Sequence, residues 1–330
     1  MMNTMLLRTL LPAAALTLTA MAADDPWLVF EGKSGPGKGK NVVLIGGDEE
    51  YRSEESLPML GKMLAEKHGF KCTVLFAIDK TTGEINPNEQ NNIPNVAAVD
   101  SADFVIMALR FRELPDADMK HIVDYVEAGK PLLGMRTSTH AFAYKKKDSP
   151  YASWSHDNNG GFGKKVLGET WVNHWGQHGK QSTRGIIEEA NKSHPVLTGV
   201  EDIWGKTDVY QVGKLPDDAK VLFRGAVLTG MNPKDEVLKS DRNEPQMMPV
   251  AWVRERKTDK GETQKVICTT MGAATDFLSP GMGRFVTNCV YWGIGLPIPA
   301  KMDTAPVGKY EPSEFGFNGY KKGVKPADLK

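Results

Sequence analysis

Cysteine is scarce in this chain: Cys72, Cys268 and Cys289 are the only three in 330 residues. So few, and an odd number, exclude the disulfide framework that staples small secreted domains. Each sits in an apolar setting and is read as a buried small hydrophobe. A Cys268–Cys289 bridge stays open, though nothing in the spacing calls for it. An excess of either charge is also missing, with 41 basic and 41 acidic side chains. No basic run stands out, so the chain lacks the electrostatic footprint of a nucleic-acid partner. Beyond the N-terminal segment no apolar run is long enough to span a bilayer. Gly46-Gly47 fits neither the G-x-G-x-x-G nor the Walker pattern, so no nucleotide is inferred and no cofactor is expected.

The N-terminus reads as a targeting segment. Arg8 precedes the apolar stretch Thr9–Ala20, which closes on Ala20-Met21-Ala22. A basic start, a short apolar core and an Ala-x-Ala end describe a cleavable secretory signal over 1–22. The mature protein is therefore expected to be periplasmic or secreted. Residues 23–40 read as a linker, Gly-, Lys- and Pro-rich from Ser34 onward.

From residue 41 the pattern alternates. Apolar runs at 41–47, 71–76, 102–109 and 131–135 read as buried strands. Helical spacing marks 54–68, with Ser53 as N-cap and Gly69 as C-cap, and 116–128. Strand and helix in turn predict an α/β fold: a doubly wound, mostly parallel sheet flanked by helices. The second half is less regular. A polar, aromatic excursion fills 144–162. Strands are expected at 185–188, 208–212, 220–228, 248–254 and 264–270, and a helix at 284–295. Residues 298–330 read as an extended tail clamped by Tyr310, Phe315, Phe317 and Tyr320. One domain, 41–297, with long loop insertions, accounts for the rest.

Ligands of an open parallel sheet bind at the carboxyl ends of its strands. Three such ends carry polar clusters here: Asp48, Glu50, Tyr51 and Arg52; Arg110 and Arg112; and Arg136, Thr137, Ser138 and His140. The last follows Pro131-Leu-Leu-Gly-Met135, a strand-to-elbow pattern of the kind that often presents a nucleophile. Arg136 can neither attack nor accept a proton; it can hold an anion or a polarised oxygen. These residues are read as ligand clamps, and Arg136→Ala is expected to abolish binding while sparing the fold. Asp208 and Tyr210, two apart on a strand, face one side and could serve as an acid/base pair with His140. Thr275 and Asp276 follow another strand as weaker candidates. His68 and His121 are expected at the surface. Either Trp171 or Trp175 could stack on a ligand ring, with a core role expected for at least one; Trp175 is taken as the ligand contact. His174 and His178 stand four apart and could share a divalent metal, but Gly176 and Gly179 argue against a regular helix there. No resident metal is expected, and that pair is the alternative.

Gly129-Lys-Pro-Leu-Leu-Gly-Met-Arg136 resembles the Gly-Lys-Pro-x-x-Gly-x-Cys strand of class I glutamine amidotransferases, with Arg136 on the cysteine's position. The chain is therefore not read as a glutaminase. More of it resembles the trehalose-utilisation (ThuA-like) family. The matching pieces are Val42–Gly47, Ala102–Leu109, Gly134–Phe142, Gly168–His174, His194-Pro195 with Gly199, Asp208-Val-Tyr210, Pro249–Val253 and Asn288–Gly293. Arg136 stands where such proteins usually carry His, Asp208-Val-Tyr210 where they have Asp-Glu-x-Tyr, and Gly272-Ala273 where they often have Gly-His. The resemblance implies an amidotransferase-like or flavodoxin-like fold. It also implies sugar metabolism, with a small carbohydrate, such as a keto-glycoside or disaccharide, as the partner. It leaves three readings: acid/base processing, non-catalytic binding, or metal-assisted hydrolysis through His174 and His178.

Overall fold

The computed structural model describes residues 25–330, so the expected signal segment lies outside the described residues. The first half runs β1 (Trp27–Phe30), β2 (Asn41–Gly47), α1 (Ser53–His68), β3 (Lys71–Leu75), β4 (Phe104–Leu109), α2 (Asp116–Glu127) and β5 (Leu132–Met135). The second runs β6 (Trp171–His174), β7 (Thr183–Ile187), β8 (Trp204–Gly205), β9 (Tyr210–Val212), β10 (Ala219–Val227), β11 (Met248–Lys257), β12 (Thr263–Thr269) and α3 (Pro280–Gly293).

Ten strands form one sheet in the order β1-β3-β2-β4-β5-β12-β11-β10-β7-β8. Both of its faces are buried, as the alternation along β2 shows. Val42 and Leu44 enter a core with Leu57, Leu60 and Leu64 of α1 and Phe285, Val286 and Val290 of α3. Val43 and Ile45 enter the opposite core with Met119, Ile122 and Val126 of α2. A strand period of two, with apolar residues at every position, requires such a three-layer arrangement. Cys72, Cys268 and Cys289 are buried and free, so the bridge left open by the sequence is not formed. No helix among the described residues is long and apolar enough to cross a membrane.

The mostly parallel sheet expected from the sequence holds for β3-β2-β4-β5-β12, which pair in parallel. From β12 outward through β11, β10, β7 and β8 every pairing is antiparallel. Parallel neighbours need a long crossover, usually a helix, and no long helix separates these later strands. Several local expectations also change. Trp27–Phe30, inside the stretch read as linker, is an edge strand antiparallel to β3. Strand 208–212 begins at Tyr210 and leaves the main sheet to pair with β6 (Asn173↔Gln211, His174↔Tyr210). Arg52, not Ser53, occupies the cap position of α1, and the Ser53 hydroxyl instead accepts from the Asp48 N–H at 3.2 Å. The last helix starts earlier than expected, with Pro280 in its first turn, where a missing N–H costs nothing. His68, expected at the surface, is buried between Tyr291 Oη and the Asp303 carbonyl, each at 2.9 Å.

Candidate functional site

Parallel pairing brings the carboxyl ends of β2, β4, β5 and β12 side by side, and their loops meet above the sheet. Three of these loops each hold a non-glycine residue in the left-handed region: Arg52 (φ 60°), Phe111 (φ 52°) and Arg136 (φ 46°). Such a residue costs on the order of 1 kcal/mol and persists only where its surroundings fix it. At the elbow, the approach is tight as well. A Cβ on Gly134 would lie 2.7 Å from Leu167 Cδ1.

The surroundings that fix Arg136 are protein, not ligand. Its guanidinium donates to the Asp208 and Thr270 carbonyls (2.8 and 2.7 Å), to Asp208 Oδ1 (2.9 Å) and to Tyr51 Oη (3.1 Å). It lies over the Tyr210 ring at 3.7 Å and over the Tyr51 ring at 4.4 Å. Residue 136 is 1 % exposed. This corrects the reading of Arg136 as a ligand clamp: the guanidinium organises the site from beneath.

Other expected clamps are likewise turned inward. Arg112 is fully buried, bound to Glu49 (2.7 Å) and to the Pro87 and Glu89 carbonyls. Arg52, also fully buried, donates to Glu54 and to the Glu314 and Gly316 carbonyls. The Ser138 hydroxyl donates to the Met107 carbonyl (2.9 Å). Asp48 accepts from the Thr137 hydroxyl and from the N–H groups of Glu50 and Tyr51, which shapes the loop after β2. Burial raises its pKa above the usual value despite these donors. Trp175 packs against the core and donates to the Arg242 carbonyl, so it is not the ligand platform. Asp276 is taken up by Thr207 and the N–H groups of Gly272 and Ala273. Thr275 is buried beside it. Among the expected arginines, Arg110 alone reaches the rim. It binds Glu49 (2.5 Å) and stacks on Phe111 and Phe317.

What does face outward is a group of imidazoles on one carboxylate. Buried Asp208 accepts from His174 Nδ1 at 2.8 Å and from His178 Nδ1 at 3.1 Å. The two side chains are 34 % and 35 % exposed, so each shows one edge to solvent. His178 Nε2 meets Glu50 Oε1 at 3.2 Å. An imidazole between two carboxylates donates from both nitrogens, which makes it a cation. The hydrogen bonds to Asp208 and then to Glu50 push the His178 pKa up to about 9. Burial alone would raise Asp208, but Arg136 and the two histidines outweigh it and hold the carboxyl well below the usual range.

His140 lies just behind. Its ring is 5.0 Å from Phe111, 5.2 Å from Trp171 and 6.2 Å from Tyr210. Burial, then the nearby Arg110, hold its pKa well below the ordinary value, so it stays a neutral imidazole. Tyr210 donates to Tyr51 Oη at 3.1 Å, and burial pushes both phenols up, so both remain protonated. Asp208, Tyr210, His140, Tyr51 and Glu50 thus lie together at one edge of the sheet.

Sequence reasoning missed two members. Glu49 pairs with both Arg110 and Arg112 and ties two strand ends together. Phe315 comes from the tail; it stacks on Tyr51 (centroids 5.7 Å, planes at 30°) and lies 5.5 Å from His178. The run of three acids at 48–50 signalled the first, but no local pattern could signal the second.

The cluster His174, His178 and Asp208 offers one ligand atom each within 4.8 Å of one another. Two imidazoles and a carboxylate with an open side are a donor set suited to a divalent ion such as zinc.

No protein-family model matches the chain, and no curated protein matches it. Solved structures do. A ThuA-like protein from Parabacteroides merdae shares 14 % identity over 86 % of this chain and 98 % of its own, with a TM-score of 0.48. One from Bacteroides uniformis shares 14 % over 79 % and 94 %, at 0.47. An exo-β-1,4-mannosidase from an Opitutaceae bacterium shares 12 % over 77 % of this chain and 35 % of that one, at 0.35. Two of the chains that resemble it are thus described as ThuA-like, the family its sequence resembles. The roles of individual residues rest on the geometry alone.

Proposed function

We propose that the protein binds a small carbohydrate at the surface edged by Trp171, His174, His178 and Phe315, and processes it by proton transfer. One observation carries this reading: two partly exposed imidazoles share one buried carboxylate and are flanked by aromatic rings. Aromatic faces suit the apolar side of a sugar ring, and the polar edges suit its hydroxyls. His178, charged at neutral pH, is the proton donor once the ligand oxygen takes the place of Glu50 at its Nε2–H. His174 donates an Nδ1–H hydrogen bond to Asp208, which orients its Nε2 as the group to accept a proton from the ligand. Asp208 sets both rings and stabilises the charge they carry, while Arg136, lying over the Tyr51 and Tyr210 rings, holds Asp208. His140 is a second neutral base behind Trp171. On this reading the scaffold is a variant of the amidotransferase-like fold with Arg136 in the nucleophile's place, and the chain works outside the cytoplasm. Incubation with a panel of oxidised and ordinary disaccharides tests it. Product formation that is lost in His174→Ala and His178→Ala supports the reading. Binding without product leaves a carbohydrate-binding protein, and no binding removes the function.

The ligand spacing favours a second reading, in which His174, His178 and Asp208 would hold a divalent ion, which would supply a Lewis acid at the site. Elemental analysis and titration calorimetry with zinc and manganese decide it. A stoichiometric ion lost in the His178→Ala variant supports a metal site, and no uptake excludes one.

A further inference from the structure

The tail after α3 lies across the first loop of the site and is fastened to it. The Gly316 N–H donates to the Glu50 carbonyl at 2.7 Å, and the Ser313 N–H to Glu55 Oε2 at 2.6 Å. Tyr310 Oη donates to the Ala274 carbonyl at 2.9 Å. Between these contacts Arg52 donates to the Glu314 carbonyl at 3.2 Å and to the Gly316 carbonyl. The same loop sets Glu50 on His178 and Tyr51 against Phe315. Whatever loosens residues 310–317 therefore loosens the outer edge of the site.

The guanidinium that fastens the tail also touches a carboxyl group ill placed to carry a charge. Glu54, in the first turn of α1, accepts from Arg52 on Oε1 at 3.3 Å. Its Oε2 is buried and has no donor. A carboxylate oxygen buried without a donor is costly, and a proton on it removes the charge. Few groups face it. Arg52 comes from the loop and Tyr310 from the tail. Glu55 follows on the helix, its Oε1 also without a hydrogen bond and 3.5 Å from Lys321 Nζ. Asp276, the acid of 274–278, is taken up by Thr207 instead. Burial, opposed by Arg52 and aided by Glu55, raises the Glu54 pKa from the ordinary 4.5 to about 7.

We propose that residues 310–317 form a strap that Arg52 latches onto the site while Glu54 is uncharged, and that ionisation of Glu54 loosens it. The latched form keeps a proton on Glu54; the loosened form gives that proton to water, which then solvates the carboxylate. A carboxyl pKa raised in the latched form favours that form in acid. The advantage is full below about 4.5 and is lost as pH rises through about 7. The outer edge of the site is thus held tight in acid and eased above neutrality. The latch acts before any ligand arrives, so it stands or falls apart from the carbohydrate reading.

Hydrogen–deuterium exchange of the full chain tests it, read by mass spectrometry on peptides covering 310–317 at pH 5.5 and 8.5 and corrected for the intrinsic pH dependence of exchange. Wild-type protection there is expected to fall about tenfold or more across that interval. Glu54→Gln keeps the shape of an uncharged carboxyl and cannot ionise, so its protection should change by no more than about twofold. A flat wild-type profile overturns the latch with no variant needed. A fall of equal size in the wild type and in Glu54→Gln overturns it as well, because another group then carries the titration.

Discussion

Arg136 holds Asp208 twice: one guanidinium nitrogen meets its carboxylate at 2.9 Å, and the other its own main-chain carbonyl at 2.8 Å. Side chain and backbone of the same residue are fixed by one cation. The orientation of the two histidines on that carboxylate follows from this grip. Removing one partner of a buried pair leaves the other charge uncompensated, which typically costs about 3–5 kcal/mol. Arg136→Ala is therefore expected to lower unfolding free energy by about that amount. This differs from the sequence-based expectation that the fold is spared. Chemical denaturation checks it; a stability within about 1 kcal/mol of wild type, the range of an ordinary surface change, would refute the structural role.

His178 gives a pH dependence with a definite sign. Its pKa is raised from the ordinary 6.5 to about 9 in the folded protein. The stability it contributes is thus fully present below pH 6.5 and is lost as pH rises through about 9. An NMR titration of the imidazole should show the high midpoint in the wild type and a lower one in Asp208→Asn. A wild-type midpoint near 6.5 would mean that the two carboxylates do not share this ring.

Arg52 tests how the tail is fastened. It is fully buried and donates to the carbonyls of Glu314 and Gly316. In Arg52→Ala those bonds go, and trypsin should cut around Lys309 and Lys321 faster than in wild type, leaving the sheet domain intact by mass. Equal cleavage rates would show that Tyr310 and Ser313 hold the segment without it.

At the elbow, steric contact makes Gly134 obligatory. A methyl there would press on Leu167 at 2.7 Å inside a packed core. Overpacking of this kind costs about 1–3 kcal/mol, so Gly134→Ala should lower the thermal midpoint. Pairing it with Leu167→Val should recover part of the loss; no recovery would place the strain elsewhere.

How much of this was legible beforehand depends on the range of the interactions. The units β2–α1–β3 and β4–α2–β5 read directly, since apolar runs and helical spacing are local signals and both sheet faces are covered. Trp27–Phe30 did not, because four residues beside a Gly/Lys/Pro stretch carry too little pattern to stand out. The approach of Glu50, Tyr51 and His140 was readable from strand ends, and the pairing of Asp208 with Tyr210 from alternation along one strand. The inward turn of Arg136 and Arg112 was not. A sequence shows that a guanidinium is present but not which carbonyls and carboxylates surround it once folded. Phe315 lay further out of reach, since its partners Tyr51 and His178 come from remote parts of the chain.

Arg52 and Glu314 touch although 262 positions part them. That side of the site therefore closes only after every strand of the sheet beneath it has been made.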